Sequence, residues 1–198
     1  MEFKERKSKP TKFNTAIPLV LLLRDFIFGK NSPDRFTKFI VYTNLLIWLC
    51  FTAWHLISYF AISLRDLIFE EKKINVQELI FQRGIELGFS PYQFLNHILK
   101  YHFISIFAWG FVFVGLVLLW RKKKIFSFFI YIGLVAYVAI LFLFMGRKYI
   151  ATDVTFLDKI WVGYLFVSCS LAVFLRPYLN PNRQPMPTDE ALKPPHEA

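Results

Sequence analysis

The sequence predicts an all-helical polytopic membrane protein with four transmembrane helices, an N-terminal interfacial helix and a small extracytoplasmic helical hairpin. Three observations carry that expectation. Charge-free runs of 26, 20, 22 and 16 residues cover Phe39–Leu64, Tyr101–Trp120, Ile125–Gly146 and Ile160–Leu175. The 198-residue chain is 56% hydrophobic and 19% aromatic but only 19% charged, against about 45–50% apolar and about 25% charged residues in an ordinary soluble domain. Its formal charge of +10 gathers beside the apolar runs rather than inside them.

Taking the elements in order, residues 1–31 read as a basic cytoplasmic tail and an interfacial helix. Ile17–Phe28 is too short to span, and the apolar stretch stops at Arg24-Asp25 with no small-residue cleavage site after it, which argues against a signal peptide. A helix lying in the membrane surface, ended by Gly29, fits best; a re-entrant helix is the competing reading. The bundle follows over residues 32–176, with spans at about 37–62, 100–120, 125–146 and 155–175. Ser32-Pro33-Asp34 supplies start signals for the first span: a hydroxyl cap, a proline in the first turn and a dipole-favoured acid.

Residues 65–99 form an outer loop. Within it Asn75 caps a short helix carrying Val76, Leu79, Ile80 and Leu87 at helical spacing, and Gly88 closes it. Ser90-Pro91 with Gln93 repeats the start grammar, so the second span extends back to Pro91 and projects about two and a half turns beyond the bilayer. The fourth run reaches only about 24 Å at 1.5 Å per residue. Its helix therefore starts near Val154 and carries Asp158 and Lys159 into the outer interface. Residues 177–198 hold six of the ten prolines among polar neighbours and read as a disordered cytoplasmic tail.

Orientation follows from the bases. Nine lie between Lys4 and Lys38, four form the turn Arg121-Lys122-Lys123-Lys124, and three follow from Arg176 onward, sixteen of twenty-four in all. An even number of spans puts both termini on one side, and the positive-inside rule makes that side the cytoplasm of a cell membrane. Tyr42, Tyr59, Trp120, Tyr149 and Trp161 fall near the ends of the spans as an aromatic belt would. The basic face implies contact with anionic headgroups. The same topology explains the basic tail without nucleic acid.

Candidate chemistry is sparse. The sequence holds no phosphate-binding glycine loop, nucleophile elbow, His-Glu-x-x-His helix or paired carboxylates within a span, so it supports no catalytic residue and no metal site, and points away from an enzyme. Cys50 and Cys169 lie inside separate spans and read as packing residues. His97 and His102 are five apart and point about 140° away from each other, which leaves His55 with His102 as the pairing that two adjacent spans can make, a possible haem-binding pair. Asn44 is the costliest mid-span group to leave unpaired and should face another helix, among Thr43, Thr52, Ser168 and Ser170. Asp158, Lys159, Lys100, Arg147, Lys148 and Asp153 gather at the outer rim, where charge is inexpensive; a site for an anionic headgroup, or an intersubunit salt bridge involving Asp158, is the sharper reading. Gly110, Gly115, Gly133 and Gly163 offer small surfaces for helix packing. The leading expectation is a non-enzymatic structural or accessory subunit of a membrane complex, joined to other membrane proteins or to itself. An oligomeric transporter or channel and a haem- or quinone-handling redox protein are the alternatives.

Overall fold

A computed structural model describes residue 29 and residues 33–175, and among these it is all helical. Six helices follow in order: α1 (Arg35–Ser63), α2 (Arg65–Lys72), α3 (Val76–Leu87), α4 (Pro91–Trp120), α5 (Phe126–Thr152) and α6 (Phe156–Leu175). Four of them, α1, α4, α5 and α6, are long and apolar enough to cross a membrane. The expected interfacial helix at 17–28 and the tail at 177–198 lie outside the described residues.

Local chemistry sets the helix ends. Asp34, rather than Ser32, is the N-cap of α1. Its carboxylate accepts the Thr37 N–H at 2.9 Å and the Thr37 hydroxyl at 2.8 Å, and Pro33 sits one residue ahead of the cap rather than in the first turn. Burial alone would raise the Asp34 carboxyl, but the Thr37 hydrogen bonds and the nearby Lys122 charge outweigh it and hold the group below its ordinary value. Asn75 caps α3 by accepting the Glu78 N–H at 3.0 Å. Gly88 ends α3 at φ 92°, a conformation that glycine adopts without penalty, and the Phe89 N–H closes on the Gly84 carbonyl at 2.9 Å. At α4 the expected reciprocal box is replaced by one side-chain contact, Ser90 Oγ donating to Gln93 Oε1 at 3.4 Å.

Two features differ from the sequence reading. Helix α2 fills the start of what read as loop, separated from α1 by Leu64 alone and closed by Lys73 in the left-handed region. Helix α5 continues past its charge-free run to Thr152, broken at Gly146, whose φ of 75° and ψ of 175° lie outside helical space.

The long helices form a ring in the order α1, α4, α5, α6, each packing on its two neighbours. Helix α4 is the most buried, with 39% of its apolar window enclosed against 22% for α1 and α6. Glycines bring α4 and α5 together. A Cβ on Gly133 would lie 2.8 Å from the Ala108 carbonyl oxygen and 2.7 Å from Val112 Cγ2, and one on Gly115 would collide with Ile130. Among the described residues nothing lies within 4 Å of a Cβ placed on Gly110 or Gly163, so neither makes the close approach expected of it. Helices α2 and α3 lie at one end of the bundle, the cap end; the Arg121–Lys124 turn marks the other, the basic end.

Candidate functional site

The antiparallel pair α1 and α4 brings together most of the polar residues at the centre of the bundle. Trp48 Nε1 donates to the Trp109 carbonyl at 2.8 Å, and the Phe51 and Trp109 rings stack at 4.6 Å. One and two turns further along α1, Thr52 and His55 come level with Ser105 and His102 of α4. The two imidazoles meet, with His55 Nδ1 and His102 Nδ1 3.0 Å apart and both side chains buried. Along this seam Thr52 Oγ1, His55 Nε2, Ser105 Oγ and Trp109 Nε1 are buried without a partner among the described residues.

The sequence pairing of His55 with His102 is thus spatially realised, while His97 turns away to the Phe144 carbonyl at 3.1 Å. Two nitrogens 3.0 Å apart share a proton. Ligands on opposite sides of one ion stand about 4 Å apart, twice a metal–nitrogen bond. The pair is therefore built as a hydrogen bond, with its two Nδ1 atoms closer than opposite ligands of one ion. Among the described residues no group of three or more His, Cys, Asp or Glu gathers as a metal site.

Tyr101 and Tyr137 connect this seam to a cavity. Their rings lie 5.3 Å and 5.7 Å from His55, and their hydroxyls meet at 3.3 Å. Beyond them a cavity of about 550 Å³ opens among α1, α4, α5 and α6, lined by Phe51, Trp54, Tyr101, Tyr137, Tyr149 and Trp161 with Cys50, Val154, Leu157 and the carboxylates of Asp153 and Asp158. Tyr149 and Trp161, which read as belt residues, are cavity walls. Cys50, which read as a packing residue, is exposed at the cavity, whereas Cys169 is buried.

The cavity lies on the cap side of the hydrogen bonds that tie α6 to its neighbours. Asn44 Nδ2 donates to Ser168 Oγ at 2.9 Å, Tyr164 donates to Thr43 Oγ1 at 3.2 Å, and the Tyr131 and Ser170 hydroxyls meet at 2.8 Å. Toward the cap end α6 is held by its own start: the Asp158 N–H donates to Thr155 Oγ1 at 3.2 Å, while Asp158 Oδ2 accepts the Thr155 N–H at 3.1 Å. The two carboxylates differ. Asp153 pairs with Arg83 of α3, whose guanidinium also meets Glu86, and these bonds raise the arginine above its ordinary value. Asp158 makes no ion pair among the described residues. Lys159 is exposed and lies outside the cavity wall.

Sequence reasoning missed Arg83, Tyr101 and Tyr137. Arg83 sat in a charge-balanced loop, and the tyrosines were hidden among 38 aromatic residues, counting 24 Phe, 9 Tyr and 5 Trp. Fold and site together define a four-helix bundle of membrane-spanning length with a buried polar seam and an aromatic cavity on its cap side. No family model, curated protein or solved structure matches the chain.

Proposed function

We propose that the protein is a non-catalytic component of a cell membrane that assembles with other membrane proteins, with its cap end outside and both termini and the Arg121–Lys124 turn on the cytoplasmic face against anionic headgroups. One observation carries the reading. The bundle is closed toward its basic end, where Trp109, Leu116, Ile130 and Leu165 are fully buried and Asn44 spends its amide on Ser168. Packing of that density supports a structural element over a solute path through one protomer. The distribution of sixteen bases on one side supports the orientation.

Purification from native membranes in mild detergent tests the assembly, with a stoichiometric partner or self-association expected. A strictly monomeric protein without a partner refutes it. Reporter fusions at the Arg121–Lys124 turn and in the 73–75 connection test the orientation; they should report opposite compartments, and agreement between them sinks it.

A further inference from the structure

We propose that the cavity between α1 and α6 is a binding site for a lipophilic organic cation, an amphiphile whose head is a quaternary ammonium or a comparably hydrophobic cation. Its size suits a small molecule, since about 550 Å³ falls within the usual range of ligand pockets. Its walls suit a cation. Six aromatic rings, those of Phe51, Trp54, Tyr101, Tyr137, Tyr149 and Trp161, border the space, and the faces of such rings attract positive charge.

The charge balance selects the same class. Among the described residues both ionised side chains in the wall are acids, and no lysine or arginine lines it. Arg83 pairs with Asp153 and leaves Asp158 as the carboxylate of the wall without an ion pair among the described residues. A carboxylate beside apolar walls is costly unless hydrogen-bonded and paired. Thr155 supplies the hydrogen bonds and the ligand supplies the pairing. An anionic head would be repelled, and a neutral one would leave Asp158 uncompensated.

Access explains why the cation is lipophilic. Trp54 is 63% exposed, Leu157 is 59% exposed, and Cys50 is exposed beside them, so the mouth lies between α1 and α6 on the apolar flank of the bundle. A ligand entering there comes from the outer interface of the bilayer, past apolar side chains. The proposal is independent of partner assembly: a monomeric protein that binds the cation would refute the reading above and leave this one standing.

The experiment measures direct binding of labelled tetraphenylphosphonium to the full chain in phosphatidylglycerol nanodiscs. Saturable binding near one per chain is expected. Asp158→Asn keeps a side-chain oxygen to accept the Thr155 N–H, and it should weaken binding roughly tenfold or more. Trp54→Leu, at an exposed position that does not hold the fold, should weaken it roughly two- to fivefold. Decylubiquinone should not displace the cation. In mixed nanodiscs with the phosphatidylglycerol fraction held constant, replacing phosphatidylethanolamine by phosphatidylcholine weakens apparent binding where the natural source is the choline headgroup and leaves it unchanged where the source is a free amphiphile. Absence of saturable binding overturns the proposal, as does an Asp158→Asn protein with wild-type affinity or displacement by the neutral quinone at equal concentration.

Discussion

Removing the Ser168 hydroxyl should damage the bundle more than removing its partner. Ser168 Oγ accepts from Asn44 Nδ2 at 2.9 Å and has two oxygens to which it can donate, Asn44 Oδ1 and the Leu165 carbonyl, each at 3.1 Å. Asn44 is 0% exposed. Ser168→Ala therefore strands an amide in apolar surroundings and should cost about 1–3 kcal/mol. Asn44→Leu reproduces the branched shape of the side chain and leaves Ser168 bonded to its own helix at Leu165. Its cost is that of one interhelical hydrogen bond, about 0.6 kcal/mol and at most about 1.7.

The double variant has neither polar group and so no stranded one. It should be more stable than Ser168→Ala alone, a coupling whose sign does not depend on the absolute energies. Unfolding by SDS titration in mixed micelles, followed by tryptophan fluorescence, gives the four free energies of the cycle. If Ser168→Ala and Asn44→Leu add to within about 0.5 kcal/mol, the pair is not coupled and the explanation is wrong.

Gly133→Ala should destabilise by about 1–3 kcal/mol, because the new methyl meets the Ala108 carbonyl and Val112 at less than contact distance, whereas Gly163→Ala meets nothing among the described residues and should be neutral in the same titration. Arg83→Gln removes the tie between α3 and Asp153; hydrogen exchange over 76–87 should quicken while α4 and α5 stay protected, and unchanged exchange would show that the ion pair holds nothing. Thr52→Val deletes a buried hydroxyl that has no partner among the described residues, and should leave stability unchanged or raise it; a loss above about 1 kcal/mol would mean that the hydroxyl is satisfied in the membrane.

The spans were legible because a charge is expensive in hydrocarbon and ends a run wherever it occurs. That rule also explains its failure at Gly146. Arg147 and Lys148 closed the charge-free run, yet the chain resumes helical geometry to Thr152, and Lys148 donates to the Glu86 carbonyl of α3. Caps at Asn75 and Gly88 were legible because each acts within four residues of itself. Helix α2 was not, since its charged surface carries no membrane signal and none of its residues is buried. At the site, the depths of His55 and His102 and their angles left one possible partner for each. The cavity could not be read this way. It lies on the cap side of the tie between α6 and α1, and the register that sets Asn44 against Ser168 joins residues 124 positions apart.

The size of the cavity constrains what occupies it. At about 550 Å³ it has room for a small amphiphile, and its mouth between α1 and α6 leaves it open to lipid and solvent. An acyl chain can lie along the rings of Phe51 and Trp161 but brings no positive charge to Asp158, whose hydrogen bonds come from Thr155. A cation with an apolar body answers both demands at once. The local cap at Thr155 and Asp158 makes this arrangement tenable, because it secures the first turn of α6 without requiring that turn to pack against α1, and so the wall of the cavity and its charge come from the same few residues.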